Sequence, residues 1–221
     1  MIKSYNRLNN ILGWSIFIIA SFIYLSTIEQ TVSFWDCGEY ISTAYKLEVG
    51  HPPGAPLFQL LGRIFTLFAN SGTSEVAVAI NILSALCSSF TVLFLFWTIT
   101  AFGRKIYLIN NENAEKSKTI AVLGAGVVGA LTYAFSDSFW FSAVEGEVYA
   151  MSSFFTAITF WCIMKWEREA NQPYANRWLI LIAYLIGLSV GVHLLSLLTI
   201  PAMGMIYYYK NLRSNKKVYK K

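Results

Sequence analysis

Residues 76–102 read VAVAINILSALCSSFTVLFLFWTITAF and contain no charged side chain. This run is longer than the roughly 20 apolar residues with which an α-helix crosses a bilayer. It is followed at once by Arg104 and Lys105, and basic residues that flank a span favour the cytoplasmic side. The stretch therefore predicts a transmembrane helix whose carboxyl end faces the cytoplasm.

The composition of the whole chain agrees with a membrane environment. Of its 221 residues, 56% are hydrophobic and 13% are charged, against about 25% charged in soluble domains. The formal net charge is +5, but the basic residues lie in short clusters beside apolar runs and form no basic groove with interleaved aromatic residues. This pattern argues against binding to nucleic acid. The three cysteines show no CxxC or Cys–His spacing, so they indicate neither a zinc site nor a disulfide framework.

The apolar runs predict an all-α membrane protein of about six transmembrane helices, with both ends in the cytoplasm. The first run follows a basic start without a small-residue cleavage site, which favours a retained anchor helix. Residues 57–69 form a shorter apolar run that contains Arg63, as expected for an interfacial helix within an outer first loop over residues 29–75. The predicted spans are 11–28, 76–102, 119–135, 148–166, 178–192 and 194–209.

The last apolar stretch, residues 178–209, fits either one long tilted helix or a hairpin of two short helices. Basic residues flank it on both sides, and both flanks prefer the cytoplasm. We therefore favour the hairpin, with a break near Gly187, Gly191 and His193.

Ionisable residues are nearly absent from the centres of the predicted spans and gather at their outer ends. An ion-coupled transporter would be expected to bury charges near the midplane of the membrane. The distribution instead predicts a cavity on the outer face, although a lipid or solute transporter stays as an alternative function. The residues concerned are Asp36, Glu39, His51, Arg63, Glu145, Glu147 and His193.

The segment SFWDCGEY at residues 33–40 is the sharpest local feature. Ser33 can cap a helix that starts near Phe34, which places Asp36 in the first turn. Glu39 follows three residues later and shares the same helical face. An ionised carboxylate fixed at a membrane surface could accept a proton from a hydroxyl nucleophile, so Asp36 and Glu39 are candidate catalytic residues. A solvated amphipathic helix is the alternative.

The segment GHPPGAP at residues 50–56 predicts a rigid turn, because its three prolines leave little backbone freedom. His51 within it could contact an anionic group or simply bond to the backbone. Aromatic residues such as Phe34 and Trp35 precede Asp36. They fit an aromatic belt at the interface, and sugar stacking or packing of a lipid tail is the alternative.

Two further polar positions interrupt the second half of the chain. Glu145 and Glu147 would diverge in a regular helix, so Gly146 between them indicates a loop or helix start at which at least one glutamate turns inward. His193 is a lone polar residue in an apolar stretch. It is either a packing histidine or a ligand at the tip of the predicted hairpin.

Four blocks of the sequence resemble the multispanning O-mannosyltransferase-like family, glycosyltransferase family 117. The first two blocks together are specific, and all four follow the order that the family shows. The blocks are FWDCGEYI at 34–41, GHPPGAPLF at 50–58, VEGEVY at 144–149 and GLSVGVH at 187–193.

The resemblance implies a fold of the GT-C type and transfer of a sugar, most simply mannose, from a polyprenyl-phosphate donor to a protein hydroxyl. The transfer would take place on the non-cytoplasmic face, with inversion at the anomeric carbon. Asp36 would then be the base, and Glu39 would support it or bind the acceptor. His51, Arg63 and His193 become candidates for the donor phosphate. The remaining candidates for substrate binding are Glu145 and Glu147.

Members of this family are usually longer, so residues 1–221 are expected to form the N-terminal part of a GT-C fold, as one membrane domain. A non-catalytic assembly subunit is the alternative. The expected partners are membrane lipid, the lipid-linked sugar and an acceptor protein. No metal ligand set is assigned, and a divalent metal requirement stays open. The lack of an N-x-Ser/Thr site favours a bacterial inner membrane, with the active face toward the periplasm.

Overall fold

The fold consists of α-helices joined by short connections. The computed structural model describes residues 2–70, 72–108 and 116–218, and these ranges contain no β-strand. A 3₁₀-helix over Leu194–Leu198 separates the last two α-helices. The α-helices are α1 (Ile2–Ser26), α2 (Cys37–Lys46), α3 (Pro56–Thr66), α4 (Thr73–Tyr107), α5 (Lys116–Ala134), α6 (Asp137–Val144), α7 (Val148–Glu169), α8 (Arg177–Val190) and α9 (Thr199–Val218).

Within the described residues, four helices are long and apolar enough to cross a membrane: α1, α4, α5 and α7. They coincide with the first four predicted spans. Each satisfies its backbone hydrogen bonds internally, as hydrocarbon requires. The chain is therefore an all-α, multi-pass membrane protein, which confirms the predicted fold class.

The last apolar stretch is interrupted at residues 191–193. There α8 ends, the 3₁₀-helix follows, and α9 continues from Thr199. The 14 residues of α8 extend about 21 Å, which is shorter than the roughly 30 Å of bilayer hydrocarbon. The predicted total of six crossings thus stays a prediction, since α8 and α9 do not meet the length and apolarity of the other four.

The long helix α4 is the centre of the bundle. It packs against α1 and α5 on one side and against α7 on the other, because apolar and small residues surround its whole circumference. The close packing with α5 depends on Gly126, where an added Cβ would lie 2.5 Å from Cγ2 of Thr100. We call the end of the bundle that carries α2, α3 and residues 145–147 the outer end. The inner end is the one at which α4 and α7 finish.

The outer end contains the two short helices of the predicted first loop. The predicted start of α2 near Phe34 is wrong, because Trp35 adopts a left-handed φ of 62° that interrupts a right-handed helix. Asp36 takes the N-cap position in place of Ser33, and its side chain makes no capping hydrogen bond. At the start of α3, the N–H of Leu57 donates to the carbonyl of Gly191 at 2.7 Å. This bond ties α3 to the break after α8.

Candidate active site at the outer end

Three side chains from the first loop form an exposed cluster at the start of α2. Asp36, Glu39 and His51 each have one potential metal-ligand atom, a carboxylate oxygen or a ring nitrogen, and these three atoms lie within 4.8 Å of one another. We call these residues the outer cluster. The i,i+3 spacing brings the two carboxylates together, as predicted from the sequence, and the turn after α2 adds the histidine.

Glu39 holds His51 through both of its carboxylate oxygens. Oε1 accepts from the backbone N–H of His51 at 2.5 Å, and Oε2 lies 3.0 Å from Nδ1 of the ring. The side chains of His51 and Glu39 remain 42% and 38% exposed, so water screens the pair. Among the residues that the structure describes, Nε2 of His51 has no hydrogen-bond partner.

The contact between Glu39 and His51 shifts the pKa of each residue. The hydrogen bond that Glu39 accepts from the ring, then the charges of Glu39 and Asp36, raise the pKa of His51 above its ordinary value. Hydrogen bonds from His51 lower the pKa of Glu39. His51 therefore stays protonated to higher pH than a free histidine does, and Glu39 stays ionised to lower pH.

Gly50 permits this contact because a side chain would obstruct it. An added Cβ would lie 3.0 Å from Oε1 of Glu39 and 3.3 Å from Nε2 of Gln59. The turn then closes through the N–H of Gly54, which donates to the carbonyl of His51 at 2.8 Å. Gly54 has a φ of 73°, a region that glycine adopts without strain.

A second, buried cluster lies on the other side of the α2 start. It consists of Cys37, Glu145 and Glu147, whose donor atoms again lie within 4.8 Å of one another. The glutamates are 4% and 6% exposed, and the thiol of Cys37 donates to Oε1 of Glu147 at 3.5 Å. We call these residues the inner-facing cluster.

Both glutamates turn inward around a tight turn at Gly146. Glu145 and Glu147 have φ/ψ of −123°/157° and −125°/162°, and the N–H of Glu147 donates to the carbonyl of Glu145 at 3.0 Å, which closes a three-residue γ-turn. The sequence predicted that at least one of them turns inward, and the structure shows both. Gly146 fits between them against Asn81, whose Oδ1 would lie 2.8 Å from an added Cβ.

Burial sets the protonation of this cluster. It raises the pKa values of Glu145 and Glu147, and the charge of Glu145 raises that of Glu147 further. The pKa of the Cys37 thiol is raised as well, first by burial and then by the two glutamates. Oε2 of Glu145 has no hydrogen-bond partner among the described residues. The two acids therefore keep their protons to higher pH than free glutamates do.

Tyr40 lies between the two clusters. Its ring centroid is 5.8 Å from that of His51 and 5.6 Å from that of Phe58. Burial, followed by the charges of Asp36 and Glu147, raises its pKa to about 12. Sequence reasoning missed Tyr40 and Cys37 as parts of the site. Their one signal was position, because Cys37 directly follows Asp36 and Tyr40 directly follows Glu39.

His193 lies at the same end of the bundle but outside both clusters. Its Nδ1 accepts from the N–H of Leu195 at 3.1 Å, so the proton of the neutral ring is on Nε2. Its ring centroid is 5.5 Å from that of Tyr149. The residue thus caps the 3₁₀-helix, and its role in substrate binding stays a prediction.

Arg63 does not join the other candidates. Its guanidinium lies over the ring of Tyr45, 5.0 Å from the centroid, and donates to Oγ1 of Thr66 at 3.4 Å. An outer-end cavity of about 720 Å³ between α3 and α4 is lined mainly by apolar residues, and none of the seven predicted site residues lines it. The sequence predicted that the candidate residues share one cavity. In the structure they form two clusters instead, and Arg63 lies beside α2 outside both.

Comparison with known proteins assigns the chain to a family. A family model described as the N-terminal domain of protein O-mannosyl-transferase TMEM260 matches residues 36–216. The chain belongs to this family. The match begins at Asp36 and contains both clusters. The helices and residues that define the outer end therefore lie within the part of the chain that matches the TMEM260 family model.

Two curated relatives carry the same family name. Protein O-mannosyl-transferase tmem260 of Dictyostelium discoideum is 30% identical over 84% of this chain, and the match covers 22% of that protein. Protein O-mannosyl-transferase TMEM260 of Mus musculus is 24% identical over 80% of this chain and 22% of its own length. The chain therefore spans about a fifth of these TMEM260 relatives. No solved structure matches it significantly.

Proposed function

We propose that this chain forms the donor and base site of a membrane O-mannosyltransferase. It would move mannose from a polyprenyl-phosphate donor to a protein hydroxyl at the outer end of the bundle. The single observation that carries the proposal is the outer cluster, an exposed aspartate beside a histidine that Glu39 holds, in a chain of the O-mannosyl-transferase TMEM260 family. The predicted location is a bacterial inner membrane with this end toward the periplasm.

Asp36 is the base in this proposal. Its carboxylate is exposed and makes no capping hydrogen bond at the start of α2, so it is available to an incoming hydroxyl group. As the acceptor oxygen attacks the anomeric carbon, its proton passes to Asp36. The bond from that carbon to the phosphate oxygen breaks, the electron pair leaves with the lipid phosphate, and a single displacement inverts the configuration.

His51 supplies positive charge to the departing phosphate. In its protonated form, Nδ1–H donates to Glu39 and Nε2–H is left to donate to a phosphate oxygen. Charge-assisted hydrogen bonds of this kind stabilise a developing anion. Glu39 uses both oxygens on His51, so we assign it to positioning this histidine. The exposed rings of Phe34 and Trp35 offer an apolar surface next to Asp36 for the donor.

The test is sugar transfer from labelled polyprenyl-phosphate mannose to protein, in membranes that contain the chain. We would compare wild type, Asp36→Asn and the matched control Asp137→Asn at equal expression. Asp137 is an exposed outer-end acid of α6 outside both clusters, so its variant loses the same charge. We expect transfer by wild type and the control and its loss in Asp36→Asn.

Two results would contradict the proposal. Equal transfer by wild type and Asp36→Asn would exclude Asp36 as the base. Absence of transfer by wild type, with a folded protein in the membrane, would mean that this chain is a binding or assembly unit and does not itself catalyse transfer.

A further inference from the structure

A large cavity lies at the inner end of the bundle, far from the proposed active site. Its volume is about 1030 Å³, and residues of α1, α4, α7 and α9 line it. On α4, Asn81 beside the inner-facing cluster and Thr100 at the cavity are separated by about 28 Å along the helix axis, a distance close to the thickness of bilayer hydrocarbon. The cavity and the proposed active site are therefore separate features.

Positive charge dominates the lining. Five basic side chains face one carboxylate, that of Glu167, among the lining residues that the structure describes. Lys105 pairs with Glu167, and Arg104 donates to Oδ1 of Asn6 at 3.2 Å. The basic lining residues are Arg104, Lys105, Lys165, Arg168 and Lys210.

Three of these cations have no carboxylate of their own. Arg104, Lys165 and Lys210 form no ion pair within the described part of the chain. The ammonium of Lys165 instead lies over the ring of Trp161, 4.6 Å from its centroid. A half-buried ammonium without an acidic partner is costly, so an anion entering the cavity would compensate for it.

Indole and amide groups line the same cavity. The ring centroids of Trp97 and Trp161 are 5.6 Å apart, and those of Trp14 and Trp97 are 6.1 Å apart. Asn6, Asn9 and Asn10 contribute amides, and the buried Oδ1 of Asn9 has no partner among the described residues. A soluble anion would use the cations alone, whereas an amphiphile would use the cations and the indoles together.

We propose that this cavity binds the phosphate headgroup of an anionic membrane lipid. Lys165, Arg168 and Lys210 would contact the phosphate, and the indoles would pack against the glycerol and upper acyl region. The positive-inside rule accounts for an excess of basic residues at the cytoplasmic side of a membrane protein. It does not account for basic residues that line one cavity together with three tryptophans. Basic pockets between transmembrane helices bind lipid headgroups through this combination of charge and apolar contact. The proposal does not depend on the proposed transfer activity.

The test is lipid binding to the purified full chain in a non-ionic detergent, followed by quenching of tryptophan fluorescence. Brominated phosphatidylglycerol and brominated phosphatidylcholine would be titrated separately, with inorganic phosphate as a competitor. The cavity variant is Lys165→Gln with Lys210→Gln. The matched control is Arg7→Gln with Lys116→Gln, which removes two exposed charges from the same end of the bundle outside the lining.

We expect phosphatidylglycerol to quench more strongly than phosphatidylcholine at equal concentration. The cavity variant should bind it about tenfold more weakly, while the control should bind like wild type. A Lys165→Arg variant keeps the charge and should retain binding, which separates loss of charge from loss of folding.

Three results would overturn the proposal. Equal weakening in the cavity and control variants would indicate attraction by general surface charge. Equal binding of the two lipids would indicate apolar contact alone. Full displacement of phosphatidylglycerol by inorganic phosphate would identify a site for a soluble anion.

Discussion

The substitution Gly146→Ala tests how tightly the outer end is packed. The added methyl group would lie 2.8 Å from Oδ1 of Asn81, 3.1 Å from Cγ2 of Ile80 and 3.2 Å from Cγ1 of Ile41. Carbon atoms in ordinary contact are about 3.5–4.0 Å apart. Asn81 cannot move away freely, because its amide donates to the carbonyl of Glu29 at 2.8 Å. The methyl group must therefore displace buried structure.

Overpacking of this kind costs about 2 kcal/mol. For a chain of this length the corresponding loss in melting temperature is about 4–8 °C. The assay is thermal unfolding of the purified protein in detergent, followed by tryptophan fluorescence. Gly124→Ala is the matched control, since an added Cβ at Gly124 in α5 meets no atom within 4 Å. There, alanine should leave the melting temperature unchanged or raise it slightly.

Equal melting temperatures for Gly146→Ala and Gly124→Ala would refute this reasoning. That result would mean that the link between α6 and α7 has room for a side chain. The two glutamates would then not be held by the tight turn described above.

The two clusters support three further predictions. Burial raises the pKa values of Glu145 and Glu147, so the folded protein binds more protons than the unfolded chain. Its stability should fall as the pH rises through the raised values, and Glu147→Gln should flatten this dependence in melting experiments. Because Glu39 raises the pKa of His51, Glu39→Gln should move the alkaline limit of transfer activity to lower pH. Because both oxygens of Glu39 are bonded to His51, EDTA should leave transfer unchanged.

Each of these predictions has a result that contradicts it. A melting temperature that stays constant as the pH rises would mean that the inner-facing cluster is not protonated in the folded state. An alkaline limit that moves equally in Glu39→Gln and in the control Glu75→Gln, an exposed acid of α4, would remove the assigned role of Glu39. Loss of transfer with EDTA that added Mn²⁺ reverses would show that a metal takes part.

The long apolar runs were sufficient to predict the membrane helices. In α1, α4, α5 and α7 the constraint is length and apolarity, which a sequence displays directly. The short elements were harder to place, because their limits depend on single backbone conformations. The left-handed φ of Trp35 moved the start of α2 to Cys37, and no residue type in that segment indicates it.

The candidate site was predictable in its residue types and only partly in its geometry. Asp36 and Glu39 share a face because of their spacing, but the contact with His51 depends on the path of the turn over residues 47–55. The inward orientation of both Glu145 and Glu147 follows from a tight turn at Gly146, in a segment that the sequence allowed to be either loop or helix. Arg63 matched the predicted chemistry and points instead to Tyr45.

The contact between Cys37 and Glu147 has a consequence for biosynthesis. The two residues are separated by 110 positions in the chain, and Cys37 is fully buried in the folded protein. During insertion from the amino end, the thiol leaves the ribosome before its partner has been synthesised. In an oxidising compartment it would then be open to modification until α6 and α7 are in place. The rate of translation through residue 147 therefore sets how long this cysteine is at risk.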